Sequence, residues 1–515
     1  MRRRTLGTTV LHTGTALAVL GVTLWANQAL ADEPRRVGEP RVMREPAEFT
    51  NIVDAFDDDD LFDAEFSLGY QHTWKNATIR RETHIAQPQL SSGGYTATNL
   101  EVAEYSESTS RLNLQLDLGI YHDIALILRA PVILSNDREL TATGSSGANQ
   151  NVNLQGLPGE RLFSLPFTSP TRSGFEYFAV GVDFGILNQW RDETKPTWVL
   201  GFEGRFNVSE PMHACNANPP PGQVKCADPS DVNRNNVTGD VSTVVDGMPY
   251  GLEGAFAGGR KAGVSRGTTA LEVHTYLSKR VKYVEPYGGI AALFEFQNAN
   301  SDYGRADLKG SLVNHPPLQG SMVFGMEIIP WEVLDRFQKL SADVRFTGTY
   351  RSEGRDYSEL FDAFGSSDAR SLRYPTYAQY QPNPALATDP NAAPSVVDRN
   401  SQKVYMNGIT DVQQHGTYTL STGVTMQAAK YIKFNAGGAL TWVQGHVLTF
   451  DQPCNPDFNS SLGDAGPCQA TSPGVTSATG IPNPNYRAVI DTPGRRFRVA
   501  DSTAFDAWIN AIVMF

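Results

Sequence analysis

The chain is poor in charge, and poorer in base than in acid: 43 Lys and Arg stand against 55 Asp and Glu in 515 residues, a formal net charge of −12. That deficit excludes the basic surface by which proteins hold nucleic-acid phosphates, so no nucleic-acid partner is expected. Four cysteines are too few for a disulfide-dense scaffold. Gly-x-Ser-x-Gly, His-Glu-x-x-His and glycine-rich phosphate loops are missing, and with them the usual marks of esterase, zinc-protease and nucleotide chemistry. Asp231, Asn233 and Asn235 open like a calcium loop, but Gly at the sixth place and Glu at the twelfth are absent. No enzyme, no metal and no cofactor is therefore expected. No run of eighteen apolar residues occurs, which removes a transmembrane helix.

What is present begins with an export signal. Arg2, Arg3 and Arg4 precede an apolar stretch from Leu17 to Ala26, and Ala29-Leu30-Ala31 offers a small-x-small cleavage site. Residues 1–31 read as a cleaved signal peptide. Its removal takes three Arg and no acid, leaving a mature charge of −15. Residues 32–61 carry Ile52, Val53, Phe56 and the run Asp57 to Asp60, which fits an acidic periplasmic tail or a partial plug.

From residue 62 onward the pattern has a period of two. Ala64, Phe66, Leu68, Tyr70, His72 and Trp74 alternate with polar or small residues, and Leu112, Leu114, Leu116, Leu118 and Ile120 do the same. Such alternation places each set on its own face of a strand. Twelve segments of this kind occur, at about 64–75, 111–120, 124–135, 175–188, 196–208, 267–281, 283–297, 319–330, 338–351, 416–428, 430–449 and 502–515. Their connections alternate between short turns and long loops, the long ones covering 76–105, 136–174, 209–266, 298–318, 352–415 and 450–500. Aromatic residues gather at both strand ends: Tyr121, Trp190, Trp198, Tyr283, Trp331, Phe337, Tyr431 and Phe515 by the short turns, and Trp74, Phe175, Phe206, Phe296, Tyr350 and Trp442 at the opposite ends. Amphipathic rings prefer headgroup level, so these read as two girdles.

The chain ends on Phe515, with Ile509, Ala511 and Val513 on the same face of the last segment. In this it resembles Gram-negative outer-membrane β-barrels. The resemblance implies an all-β, antiparallel transmembrane barrel over 62–515, of about twelve strands, with long extracellular loops and short periplasmic turns. It also implies that the last strand is read by the barrel-assembly machinery and that outer-membrane lipid surrounds the wall. Val513 departs from the class, which often has an aromatic there.

Twelve strands lie between barrels packed shut and wide aqueous porins, so the inward residues decide the function. Arg111, Arg129, Glu203, Arg205, Glu272, His274, Asp343 and Arg345 face inward near mid-membrane. They form either a field across an open lumen or a closed salt-bridge network. Ala125, Ile127, Pro131, Ile133, Tyr287, Ala291 and Leu293 make other inward positions less polar. Tyr357, Leu360, Phe361 and Phe364 have the spacing of a short amphipathic helix within the 352–415 loop, a candidate lid. Export favours local pairing of Cys215 with Cys226 and Cys454 with Cys468. His72, the one polar member of an apolar outward face, is explained by interfacial placement beside Trp74. The leading expectation is a channel for small polar solutes. Passage of hydrophobic compounds, suggested by Leu157, Leu162, Phe163, Leu165 and Phe167, and surface display without a pore are the alternatives.

Overall fold

The computed structural model describes residues 47–53, 55, 63–87, 94–143, 154–189, 191–221, 223–230, 244–245, 248–249, 259–392, 395–398, 400–458, 468–472, 475–478 and 480–515. The expected signal peptide, the Asp57–Asp60 run, Trp190 and the 231–235 stretch lie outside these residues.

Twelve long strands form one closed antiparallel sheet: β1 (Ala64–Gln87), β2 (Gly94–Tyr121), β3 (Ile124–Ala142), β4 (Phe178–Leu187), β5 (Thr197–Phe206), β6 (Thr268–Ser278), β7 (Val284–Gln297), β8 (Gln319–Val333), β9 (Gln338–Arg351), β10 (His415–Ala429), β11 (Ile432–Val443) and β12 (Phe497–Met514). Each pairs with its sequence neighbour, and β12 closes on β1 from Glu65↔Met514 to Arg81↔Phe497. Closure leaves no sheet edge in lipid, and among the described residues no helix is long and apolar enough to cross a membrane.

The sidedness follows the alternation. Phe66, Leu68, Tyr70 and Trp74 on β1, and Phe324, Met326 and Ile328 on β8, are exposed on the outer wall. The lower girdle of Tyr121, Trp198, Tyr283, Trp331, Tyr431 and Phe515 is exposed beside the short turns, and Trp74, Phe175, Phe206, Phe296, Tyr350 and Trp442 are exposed at the far ends. Ile509, Ala511 and Val513 lie on the lipid face of β12, opposite Tyr70, Leu68 and Phe66 of β1. Pro131 sits where the β3 ladder changes partner, between Arg129↔Ala179 on β4 and Val132↔Phe175 on a short strand at 172–175. Its missing N–H falls where regular pairing lapses.

One expected loop is not a loop. Residues 76–105 continue β1 and β2 as a hairpin paired up to Gln87↔Gly94. Its inner face carries buried Ala77, Ile79, Ala103 and Tyr105, while Arg80, Glu101 and Glu104 form an ion-pair and hydrogen-bond fringe on the other. Above the membrane the apolar side has changed from outside to inside.

Candidate functional site: a two-sided lumen under a loop dome

The inward charges do not form one ring. On one side of the lumen, strands β3 to β6 hold a continuous network. Arg129 Nη1 donates to Glu203 Oε2 at 2.6 Å and its Nε to Gln115 Oε1 at 3.1 Å. Arg205 Nε donates to Glu203 Oε1 at 2.8 Å, and its other arm bonds Glu272. His274 Nε2 lies 3.2 Å from Asp183 Oδ1 and its Nδ1 lies 3.6 Å from Glu272 Oε1. Asp343 and Arg345 stand apart on β9, 3.1 Å from each other, with the Tyr287 hydroxyl donating to Asp343 and accepting from Arg345 Nε at 2.9 Å. Arg111 joins neither group and pairs with Glu176 at 3.0 Å. Sequence spacing placed these side chains on the inner face but gave no register, so it offered no partners; Asp183, Gln115 and Tyr287 complete the clusters.

This pairing sets a prediction. Arg129→Ala should lower stability by about 1–3 kcal/mol, because it removes the closer of the two guanidinium groups holding buried Glu203. Urea denaturation followed by loss of the heat-modifiable folded band measures it. Unchanged stability together with a larger ion current would mean that the belt is an open field instead of a network.

Opposite, the wall formed by β9 to β12 is small and polar. A cavity of about 250 Å³ is lined there by Ser341, Ser421, Thr425, Asn435, Asn510 and Trp508, with Glu327, Asp343 and Arg345 at its edge. The N-terminal segment reaches into this space. Phe49 packs edge-on against Tyr276 at 4.3 Å and is stacked with Tyr287 at 5.4 Å, and the Arg345 guanidinium lies 4.6 Å from its ring centre. Below it, Thr50 Oγ1 is 2.8 Å from Ser278 Oγ, and Ala55 exchanges two backbone hydrogen bonds with His122 at a short turn. Residues 47–53 and 55 thus lie in the periplasmic half of the lumen.

At the extracellular end the long loops fold into a dome. The expected lid helix forms as α1 (Phe361–Gly365), one turn shorter than the spacing suggested. Leu360, Phe361 and Phe364 are fully buried, and Phe364 packs edge-on to Phe163 and Phe497 at 5.9 and 5.3 Å. Tyr357 contacts Phe361 and Tyr303 edge-on, and its hydroxyl donates to Arg266 O at 3.0 Å. Leu162, Phe163 and Phe167 are buried in the same cluster, Leu165 packs against it, and Leu157 stays exposed.

A charged hub that the sequence reading missed sits inside this apolar dome. Asp362 accepts two hydrogen bonds from buried Arg172, at 2.6 and 3.1 Å, one from Ser169 Oγ at 2.8 Å and one from Cys215 N at 2.9 Å. The signal for it was a lone acid between Phe361 and Phe364 on the buried face of a short helix. Both bridges form as expected, Cys215–Cys226 and Cys454–Cys468, and the first is tethered to the hub through Cys215. Beside the hub, burial alone would raise the Glu359 carboxyl, but Lys75, 2.7 Å away, and His446 hold it down at about 2. A carboxyl depressed in this way stabilises the dome above the ordinary Glu range and loses that contribution as pH falls towards 2.

His72 lies outside the lumen. Its ring is 4.1 Å from Trp74, and Ser110 Oγ and Ser108 Oγ lie 3.0 and 3.1 Å from its two nitrogens, as an interfacial histidine on a lipid-facing wall requires. Among the described residues no group of three His, Cys, Asp or Glu is arranged to hold a metal ion.

No protein-family model matches the chain, and no curated protein matches it. Solved structures with some likeness are outer-membrane proteins. An outer-membrane channel from Pseudomonas putida F1 is 8% identical with a TM-score of 0.35, over 92% of this chain and 99% of that one. A Pseudomonas aeruginosa FadL homologue is 9% identical with a TM-score of 0.29, over 92% and 93%. The P. putida toluene transporter TodX is 10% identical with a TM-score of 0.27, over 88% and 90%. The architecture itself stands on the strand ladder, the two girdles and the loop asymmetry: this chain is a twelve-stranded β-barrel of the Gram-negative outer membrane.

Proposed function

We propose that the barrel is a channel for small polar solutes whose route follows the β9–β12 side of the lumen. The observation that carries this reading is the lining of the cavity beside Phe49, where the hydroxyls and amides of Ser341, Ser421, Thr425, Asn435 and Asn510 stand beside the charged Glu327, Asp343 and Arg345. The charged half is filled by its own ion pairs, so it shapes the route without carrying it. Residues 47–55 act as the inner plug and the dome as the outer cover. The protein has no catalytic role in this reading, and its assembly partner is the barrel-assembly machinery, engaged through β12.

One observation favours hydrophobic compounds instead: the dome holds a large apolar cluster, from Leu162 and Phe163 to Phe364 and Phe497. Those side chains fill one another's space, so a greasy solute would have to part the dome to pass. Proteoliposome flux separates the readings. Sugars and small amides are expected to equilibrate faster than in protein-free vesicles, and toluene is not. Toluene flux without sugar flux reverses the assignment, and folded barrels that pass neither leave surface display as the better account.

A further inference from the structure

We infer that the polar cavity holds a subsite for a neutral carbohydrate, one sugar ring at a time, with Trp508 as its platform; this rests on the channel reading above.

Trp508 points inward from β12, opposite Gly437 of β11, which in turn pairs with Gly423 of β10. A Cβ at Gly437 would collide with the indole, and one at Gly423 would touch its edge at 3.7 Å. The two glycines therefore let the ring lie along the barrel wall instead of projecting across the lumen. Its orientation is held at the rim: Nε1 donates to Asn435 Oδ1 at 2.7 Å, and Asn435 Nδ2 donates to Thr425 Oγ1 at 2.8 Å. Asn510 Nδ2 is 3.4 Å from the same Asn435 oxygen. The ring is half-buried and forms part of the cavity lining, with Asn510, Ser341 and Ser421 around it.

The chemistry of the lining selects among solute classes. A flat π face attracts the weakly positive C–H groups of a pyranose ring. Amides and hydroxyls offer donors and acceptors together, as a ring of alcohols needs. An ionic solute meets charges that already have partners at the cavity edge, because Asp343 and Arg345 hold each other, Tyr287 holds both, and Glu327 pairs with Lys339 at 3.7 Å. An apolar solute would strip water from hydroxyls and amides and return no hydrogen bond. The volume, about 250 Å³, lies below the roughly 300–1,000 Å³ of pockets that enclose drug-sized ligands, which suits a single ring.

The test is calorimetric titration of glucose into the full folded barrel in detergent, with arginine and toluene as comparison solutes. Saturable glucose binding is expected, with none for arginine or toluene. Trp508→Ala should weaken it by about tenfold, the size of one lost aromatic contact. Trp508→Phe should recover part of the affinity. Glucose binding equal in Trp508→Ala and the parent, or preferred binding of arginine or toluene, overturns the subsite. Ion current without glucose binding also overturns it and leaves the channel intact. Glucose binding without any current keeps the subsite and removes the channel.

Discussion

Replacing Asp362 by alanine is expected to release the extracellular dome while the barrel stays closed. Asp362 collects four hydrogen bonds from two other loop segments, at Ser169 and Arg172 and at Cys215, and so ties its own helix to both. Arg172 is almost wholly shielded from solvent, so the substitution leaves an uncompensated buried charge. Loss of one partner from such a pair costs about 3–5 kcal/mol. The barrel meets this hub only along β3, where Arg138 lies 4.0 Å from Asp362 and Asn136 pairs with Arg172, and its long strands are held by their own ladder and by lipid. Limited trypsin digestion of the folded protein should cut within 209–266 and 352–415 in the variant and spare them in the parent. Asp362→Asn is the informative companion, since it keeps the shape and one acceptor oxygen, turns the other into a donor and loses the charge. A dome that stays protease-resistant in Asp362→Ala would show that the apolar cluster around Phe163, Phe364 and Phe497 suffices alone.

Deleting residues 47–55 is expected to raise single-channel conductance several-fold. This segment reaches into the periplasmic half of the lumen through Phe49, Thr50 and Ala55, and the strands around it are joined by their own ladders. Phe49→Ala should give part of the same effect, because it empties the space between Tyr276, Tyr287 and Arg345. Arg345 keeps Asp343 and Tyr287 as partners in either variant, so its charge is not stranded. Planar bilayers with purified protein give the measurement. Equal conductance in the parent and the deletion would place the constriction in the dome instead.

The barrel was legible in the sequence because lipid imposes a rule on every second residue. Leu112 to Leu118 and Phe66 to Trp74 had to face outward, and their partners had to be small or polar. The rule stops at the membrane surface. Above it, Ala77, Ile79 and Tyr105 turn their apolar side inward to the dome, and the change of side made a hairpin read as a loop. The charged residues were readable as inward but not as paired, since register comes from hydrogen-bond stagger and not from composition. Phe49 itself gave no signal: Ile52, Val53 and Phe56 marked its segment as a tail or plug, but an aromatic outside a strand has no period. Asp362 was hidden by the helix pattern that exposed its neighbours Phe361 and Phe364.

The glycines of the inner wall have a consequence for assembly. Gly201 faces His274, Gly289 faces Tyr276, Gly325 faces Tyr287, Gly437 faces Trp508 and Gly69 faces Asn510, each across a different strand pair. At each, a Cβ would overlap the opposing side chain. A slip of one residue turns a strand inside out and is rejected by lipid. A slip of two residues keeps every apolar side chain outward, so the membrane cannot detect it. Only the lumen can, by meeting Trp508 with Asn435 or Ala439 where Gly437 should be. Five of the twelve seams carry such a lock and key, including the final closure of β12 on β1. The hollows of the interior therefore proofread the stagger of the finished cylinder.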